Sequence, residues 1–275
     1  MTIDSHQHFW HYEPKKHSWI DDDMSIIRKD FMPEDLQLIY EKNDVSGCVA
    51  VQADQTLEET NFLIDLADKY DFIKGVVGWI DLRDQKVQNI LEEYNSYSKL
   101  KGLRHVVQGE ADPNFLLRPE FLRGIGFLDH YNLTYDILVF PHQLGAVLEF
   151  VDRFPNQKFV IDHCAKPYIL DGFYQGWAVM MREIAKRRNV YCKLSGMITE
   201  ADYLHWTNEQ VQPYMSLIID AFGPDRIMFG SDWPVCLVAG NYARVKSLVT
   251  DFIADLSETE QNAILGENAI KFYNL

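Results

Sequence analysis

The stretch Ile3-Asp4-Ser5-His6-Gln7-His8 decides the fold class, because the first predicted strand ends in polar side chains and not in glycines. Alternate residues of a strand share a face, so Asp4, His6 and His8 are expected to point the same way. Two imidazoles and a carboxylate that converge at a strand end can bind a metal or transfer protons. The alternative interpretation is a polar N-terminal tail with incidental histidines. Polar partner residues at the ends of other strands would exclude it.

Short apolar runs rich in β-branched residues alternate with amphipathic stretches of helical length along the chain. The predicted strands are Ile3–His6, Cys48–Gln52, Gly75–Ile80, Gly102–His105, Thr134–Val139, Phe159–His163, Val190–Leu194 and Ile227–Ser231. The predicted helices are Pro33–Lys42, Glu58–Tyr70, Val87–Tyr97, Pro119–Tyr131, Gln143–Phe154, Trp177–Arg188, Glu209–Phe222, Tyr242–Leu256 and Glu258–Phe272. Ser257 is the expected N-cap of the last helix.

Eight strand–helix units in 275 residues are typical of a (β/α)8 barrel, with residues 1–275 as a single domain. A doubly wound open sheet is the alternative fold. That fold predicts a glycine-rich phosphate-binding turn after the first strand, and Ser5-His6-Gln7-His8 contains no glycine. The sequence therefore favours the barrel.

Composition excludes several classes of function. A net charge of −15 repels phosphate backbones and anionic lipid surfaces, so neither a nucleic-acid partner nor a membrane partner is expected. No apolar run approaches the length of a membrane span and no signal peptide is indicated, so a cytoplasmic location is expected. The four cysteines form no C-x-x-C pair, which indicates reduced thiols and argues against a cysteine zinc site.

Catalytic residues of a (β/α)8 barrel lie at the C-terminal ends of its strands. Asp232 follows the eighth apolar run and precedes Trp233-Pro234, and no clear helix begins there. A catalytic carboxylate is therefore favoured over a helix cap at this position. His163 directly follows Phe159-Val160-Ile161-Asp162, so it is a candidate for the same site, although a buried core histidine is the ordinary alternative.

Other residues near strand ends are candidates for binding substrate. Arg104 and His105 end the fourth predicted strand, and Tyr135 lies in the fifth. The loop residues Trp10 and Trp233 are expected either to wall an apolar pocket or to pack the loops together. The sequence assigns no role to Lys166, Lys193 and His142.

Four motifs, taken together and in this order, resemble the amidohydrolase superfamily, and within it the amidohydrolase-2 branch of sugar lactonases of the L-fuconolactonase and L-rhamnonolactonase type. They are Asp4-Ser5-His6-Gln7-His8-Phe9-Trp10, Gly102-Leu103-Arg104-His105, Ile161-Asp162-His163-Cys164-Ala165-Lys166-Pro167 and Gly230-Ser231-Asp232-Trp233-Pro234. The resemblance runs from the first strand to the eighth. It implies a (β/α)8 barrel that hydrolyses a sugar lactone, the cyclic ester of a sugar acid.

The resemblance also implies an active-site set, carried over residue by residue: His6, His8, His163 and Asp232. Metal-dependent members usually have another histidine at the end of the fifth strand, and Thr134–Val139 contains none. They often have a bridging lysine or carboxylate in the fourth strand, where an arginine stands here and cannot bridge metals. A binuclear site is therefore not expected. Either one zinc ion on His6, His8 and Asp232, or no metal, fits the resemblance.

The hypothesis that follows is general-base hydrolysis. Ionised Asp232 accepts a proton from the water that attacks the lactone carbonyl, and His163 stabilises the oxyanion together with His6 and His8 or a metal they bind. Arg104 and Tyr135 hold the sugar hydroxyls, and Trp10 packs on the apolar face of the sugar. The alternatives are a zinc-dependent decarboxylase of an aromatic or muconate-type acid, a lactonase for a dicarboxylated ring, and a non-catalytic barrel. The particular sugar stays open, as does a homo-oligomeric state.

Overall fold

Eight parallel strands pair in chain order to form a ring, in a computed structural model that describes residues 1–275. The strands are β1 (Ile3–Gln7), β2 (Gly47–Val51), β3 (Ile73–Gly78), β4 (Leu100–His105), β5 (Thr134–Ile137), β6 (Phe159–Ile161), β7 (Val190–Leu194) and β8 (Ile227–Phe229). The ring closes where Asp232 N donates to the His6 carbonyl at 2.8 Å and His8 N donates to the Trp233 carbonyl at 2.7 Å. The predicted single-domain (β/α)8 barrel is confirmed.

Helices follow the strands and cover the outside of the barrel. They are α1 (Pro33–Lys42), α2 (Leu57–Lys69), α3 (Val87–Tyr94), α4 (Pro119–Ile125), α5 (Leu144–Arg153), α6 (Gln175–Ala185), α7 (Asn208–Phe222), α8 (Tyr242–Phe252), α9 (Glu258–Asn262) and α10 (Asn268–Tyr273). None of them combines the length and the apolar character needed to cross a membrane.

The last predicted helix, Glu258–Phe272, is two helices in the structure. A π-helical turn over Ala263–Glu267 separates α9 from α10. Gly266 in this turn lies against the start of the chain, where a Cβ atom would stand 2.3 Å from the Met1 carbonyl oxygen. The turn thus places a glycine where the backbone of this segment approaches the backbone of Met1 most closely. Ser257 caps α9 as expected, since its hydroxyl accepts a hydrogen bond from Glu260 N.

Four strands end two residues earlier than the sequence predicts. The predicted strands Gly75–Ile80, Thr134–Val139, Phe159–His163 and Ile227–Ser231 end at residues 78, 137, 161 and 229. In two of them the polar end residues have left extended geometry, because the φ angles are +52° at His163 and +57° at Asp232. The chain therefore turns at these residues and projects their side chains over the mouth of the barrel.

The barrel interior has an apolar half and a charged half. The apolar half, at the N-terminal ends of the strands, is closed from below by α10. Its buried residues are Ile3, Val49, Val51, Val77, Val160, Met228, Ala269, Phe272 and Tyr273. Above this layer lie two acids and two bases, which we call the buried charge cluster: Arg104, Asp136, Asp162 and Lys193.

Asp4 does not share a face with the two histidines of β1, so that expectation is wrong. A register shift in the middle of β1 changes the phase of the strand. The Asp4 carboxylate accepts hydrogen bonds from the hydroxyls of Tyr40 on α1, at 3.0 Å, and Tyr242 on α8, at 3.1 Å. It also accepts one from Ser231 N at 2.8 Å. Asp4 is thus a structural anchor that joins two helices to the loop carrying Asp232.

Candidate active site

The structure brings together the four side chains expected at the mouth of the barrel. The Nε2 atoms of His6 and His8 lie 3.2 Å apart. Oδ1 of Asp232 lies 3.4 Å from Nε2 of His8, 3.9 Å from that of His6 and 3.8 Å from that of His163. All four residues are almost completely buried. One carboxylate oxygen therefore faces three imidazole nitrogens.

An unusual backbone turn places His163. Residues 163–166 all have left-handed φ angles, of +52°, +53°, +57° and +46°, and none of them is glycine. Lys166 N donates to the His163 carbonyl at 2.8 Å and closes the turn. Such geometry costs roughly 1–2 kcal/mol per residue, and strain of this kind is concentrated at functional sites. Both ends of the turn, His163 and Lys166, line the same cavity.

The buried charge cluster lies directly beneath the imidazoles. Nζ of Lys193 is 2.5 Å from Oδ2 of Asp136, 2.9 Å from Oδ1 of Asp162 and 3.1 Å from Nδ1 of His6. Nη1 of Arg104 lies 3.1 Å from Oδ2 of Asp162 and 3.2 Å from Nε2 of His6. Lys193, Asp162 and Arg104 thus hold His6 from below, and Asp136 holds Lys193.

The electrostatic environment keeps Asp232 ionised and the imidazoles of His6 and His163 neutral. Burial raises the pKa of Asp232, but the nearby imidazole of His163 and a hydrogen bond with His8 outweigh it, so the net pKa is below the ordinary range. Burial lowers the pKa of His163 to about 4, against the opposing charge of Asp232. Burial also holds the pKa of His6 well below its usual range, and Lys193 adds to this although Asp162 opposes it. A carboxylate base therefore stands beside neutral rings at neutral pH.

The carboxylates of the buried charge cluster respond differently to the same surroundings. Burial raises the pKa of Asp136 to about 6, although the ammonium of Lys193 opposes the shift. For Asp162, burial would raise the pKa, but Lys193, His6 and Arg104 outweigh it and hold the pKa well below its ordinary range. Asp162 is therefore the permanently charged partner of His6.

The arrangement of His6, His8 and Asp232 fits a single divalent ion. Nδ1 of His8 lies 2.7 Å from the Val51 carbonyl, which can only accept, so the Nε2 lone pair of the neutral ring faces inward. Oδ1 of Asp162, which is 2.9 Å from the ammonium of Lys193, also lies 3.2 Å from Nδ1 of His6. It would accept the Nδ1 proton when Nε2 is a metal ligand. Tetrahedral zinc with bonds near 2.1 Å needs ligand atoms about 3.4 Å apart, which matches the separations of 3.2–3.9 Å.

A cavity of about 360 Å³ opens above these residues, within the size range of small-molecule sites. Its floor contains His8, His163, Asp232 and one edge of Arg104. One part of the wall is apolar or aromatic: Trp19, Met24, Ala53, Val106, Leu138, Phe140 and Val235. Another part is polar: Gln108, Lys166, Thr199, Glu200 and Tyr203.

His105 and Tyr135, which were predicted to bind substrate, do not line the cavity. Arg104 and Asp136 point into the barrel, and their strand neighbours therefore point outward. The buried Tyr135 ring packs against aromatic side chains of the helix layer: Phe121, Phe150 and Phe159. His105 stacks on Phe115 and lies 2.7 Å from Oε1 of Glu110.

Trp10 and Trp233, predicted to contact substrate or to pack the loops together, also lie outside the cavity. Trp10 is buried and its Nε1 donates to the Lys29 carbonyl at 2.9 Å. The Trp233 ring packs edge-on against Phe31. Both rings pack the loops together, which is the other role that the sequence left open. A tryptophan from the same loop as Trp10 does line the cavity, namely Trp19, which is 42% exposed.

The residues without a predicted role fall in three places. Lys193 lies in the buried charge cluster and Lys166 lies in the cavity wall. His142 is outside the cavity, where its Nδ1 lies 3.2 Å from the Tyr168 hydroxyl. Gln108 and Glu200 line the cavity but carry no recognisable signal in the sequence, because each lies in a loop beyond a strand.

Gly196→Ala is expected to lower kcat about 10²-fold by displacing His163. Gly196 has φ +59°, and an added Cβ would lie 2.4 Å from Nδ1 of His163. The ring would have to leave Oγ of Ser195, which is now 2.9 Å from Nδ1. Steady-state kinetics on a lactone would measure the loss. Gly145→Ala is the matched control, because nothing lies within 4 Å of a Cβ at that position. Wild-type kcat in Gly196→Ala would contradict the expected role of the ring position.

A (β/α)8 barrel with His-x-His on β1, a histidine after β6 and an aspartate after β8 defines the class of protein. The chain belongs to the amidohydrolase family, whose profile matches residues 3–275. This confirms the resemblance drawn from the four motifs.

Known relatives place the chain within that family. An L-fucono-1,5-lactonase of Burkholderia multivorans is 38% identical over 100% of this chain and 96% of its own length. An L-rhamnono-gamma-lactonase of Scheffersomyces stipitis is 26% identical over 66% of this chain and 61% of its own length. A crystal structure of an amidohydrolase of Burkholderia multivorans with bound zinc has 38% identity and a TM-score of 0.97, covering 100% of this chain and 99% of that one.

Proposed function

We propose that this protein is a lactonase that opens a sugar lactone to the free sugar acid, with L-fucono-1,5-lactone as the first substrate to test. The curated lactonase relatives and the amidohydrolase family support the enzyme class. The observation that carries the mechanism is the position of the Asp232 carboxylate in the cavity, where one of its oxygens lies within 3.9 Å of imidazole nitrogens of His6, His8 and His163.

Asp232 acts as the general base in this proposal. Its carboxylate accepts a proton from water as the water oxygen bonds to the lactone carbonyl carbon. The negative charge that develops on the carbonyl oxygen is stabilised by the imidazole of His163 and the guanidinium edge of Arg104, both of which line the cavity. The bond from the carbonyl carbon to the ring oxygen then breaks, and this oxygen takes up the proton that Asp232 accepted from water. The products are a carboxylic acid and a hydroxyl on one open chain.

A metal site would share Asp232 with the proposed general base. His6, His8 and Asp232 would hold one divalent ion, for which zinc in a related structure is the precedent. When bound, zinc would supply Lewis-acid activation of the ester carbonyl. The protein's own part is to orient both imidazoles through Asp162 and the Val51 carbonyl.

His8→Ala is expected to weaken zinc binding about 100-fold or more, since it removes one of three candidate ligands. Zinc titration followed by calorimetry, with zinc content measured after dialysis, would show one strong site per wild-type chain and none in the variant. His205→Ala, at an exposed position remote from the candidate ligands, is the matched control. Equal zinc affinity in wild type and His8→Ala would exclude this ligand set without testing the hydrolysis itself.

The function is tested by a panel of sugar lactones with a pH indicator, because opening a lactone at neutral pH releases a proton. The panel would include L-fucono-1,5-lactone and L-rhamnono-γ-lactone, each assayed with and without a chelator. Saturable turnover of one or more lactones is the expected result. No turnover of any lactone by zinc-loaded protein, together with carbon dioxide release from an aromatic acid, would favour the decarboxylase.

The cavity does not favour a dicarboxylated ring as substrate. Such a ring would need at least two free arginines, and Arg104 is the one arginine that lines the cavity. Its guanidinium is already held by Asp162 and by the backbone carbonyl of Gln52. The remaining polar wall contains a lysine paired with a glutamate, which suits a neutral ligand.

A further inference from the structure

We propose that Lys166 and Glu200 form a sugar-recognition pair that selects the lactone by hydrogen bonding its hydroxyl groups. This inference rests on the proposed lactonase function and names the residues that give it specificity. Lys166 follows β6 and Glu200 follows β7, so two different loops meet at the pair. Nζ of Lys166 lies 2.5 Å from Oε1 of Glu200.

The position of the pair points to a ligand. Both side chains line the cavity that contains His163 and Asp232. They remain 18% and 13% exposed, so each has atoms open to the cavity while most of its surface is covered. An ion pair that only joins two loops could lie anywhere along their contact, whereas this pair lines the cavity that contains the catalytic carboxylate.

The backbone fixes Lys166 relative to the reacting centre. His163 and Lys166 are the two ends of the strained left-handed turn, joined by the hydrogen bond from Lys166 N to the His163 carbonyl. Nζ also lies 5.7 Å from the centre of the Phe140 ring, which is a second contact that limits its movement. One four-residue turn therefore fixes the backbone of Lys166 relative to that of His163, and the Phe140 and Glu200 contacts position its ammonium.

The chemistry of the pair matches a polyol. A lysine ammonium has three N–H donors and a carboxylate can accept about four hydrogen bonds, and the mutual contact uses only one of each. Every sugar hydroxyl both donates and accepts, so neighbouring hydroxyls can bond to both members at once. The pair carries no net charge, which suits a neutral lactone better than an anion.

The apolar part of the cavity lining agrees with this recognition role. Val106, Leu138 and Met24 offer only apolar surface to the cavity. A ring with hydroxyls on one side and C–H groups on the other would place its hydroxyls against the pair. Its carbonyl would then face Asp232 on the floor.

Lys166→Met and Glu200→Gln test the proposal on two lactones of the same ring size. We expect kcat/KM for L-fucono-1,5-lactone to fall about 10- to 100-fold in each variant, as for the loss of a hydrogen bond to a charged group. For δ-valerolactone, which has no hydroxyls, kcat/KM is expected to be the same in the variants as in the wild type. If its turnover is too slow to measure, its Ki as a competitive inhibitor is expected to be unchanged. Lys166→Arg, which keeps donors and charge, is expected to recover part of the sugar-lactone rate.

The matched control is the exposed pair of Glu183 and Lys186 on α6, whose atoms are 2.6 Å apart. Lys186→Met and Glu183→Gln are expected to leave both rates unchanged. Equal losses on both lactones in the Lys166 and Glu200 variants would overturn the recognition role and indicate a structural one. If Lys166→Met does not fold, the neutral, nearly isosteric Glu200→Gln gives the same comparison. No turnover of any lactone by the unmodified enzyme would overturn the proposed function itself, and this inference with it.

Discussion

Asp232→Asn is expected to lower kcat about 10³-fold while the protein stays folded. The amide has nearly the same shape as the carboxylate but cannot accept the proton from the attacking water. The loss should appear in kcat, because the carboxylate acts on water and not on the sugar hydroxyls. Steady-state kinetics on the best lactone of the panel would measure it, and thermal unfolding would report on the fold.

A matched control separates the loss of a base from the loss of a charge. Asp68→Asn on α2 removes the same charge from an exposed position far from the cavity. It should change neither kcat nor the melting temperature. If Asp232→Asn kept most of the wild-type rate, the general base would be a different group, and His163 would be the next candidate within the site.

Lys193→Met is expected to lower the free energy of unfolding by about 3–5 kcal/mol. Lys193 is completely buried and forms ion pairs with both Asp136 and Asp162. Without the ammonium these carboxylates stay buried with less compensation, since Asp162 keeps only Arg104 and His6 as partners and Asp136 keeps only the Tyr273 hydroxyl. Urea denaturation followed by circular dichroism would measure the difference.

The comparison for this substitution is Lys186→Met, which also removes a lysine from an ion pair. Lys186 and Glu183 are on the surface, where such pairs contribute about 0–1 kcal/mol. The expected loss is therefore several times smaller than for Lys193→Met. Similar losses in the two variants would show that the buried charge cluster contributes little to stability.

The barrel could be predicted from the sequence because its strands are apolar and its helices amphipathic. Pro33–Lys42 and Val190–Leu194 have in the structure the same bounds as predicted. Strand ends were harder to predict where the chain leaves extended geometry without a glycine. The left-handed turn that begins at His163 and the φ of +57° at Asp232 are imposed by the surrounding structure, and nothing in the residue types announces them.

The site residues were predicted correctly where their position along the chain was sufficient information. The prediction failed where it depended on which face of a strand a side chain points to. His6, His8, His163 and Asp232 meet as expected. A difference of one residue sends a side chain to the other face of a strand, which is why His105 and Tyr135 were misplaced. The β1 register shift removed Asp4 in the same way.

The buried charges could not be predicted, because a lysine in an apolar strand ordinarily turns outward. Lys193 is explained only by Asp136 and Asp162, which come from two other strands. The pairing of Lys166 with Glu200 likewise depends on how two loops meet. Such contacts arise between elements that are distant in sequence, and local patterns carry no information about them.

The buried charge cluster sets a limit on engineering this barrel for heat resistance. Replacing buried ion pairs by well-packed apolar residues is often neutral or stabilising, so an optimisation guided by melting temperature alone would favour removing these four side chains. Yet Lys193, Asp162 and Arg104 are the groups that orient His6. A redesigned barrel of this kind would survive heating and lose its chemistry. Selection for thermostability should therefore hold the cluster fixed and work outward from the helix layer.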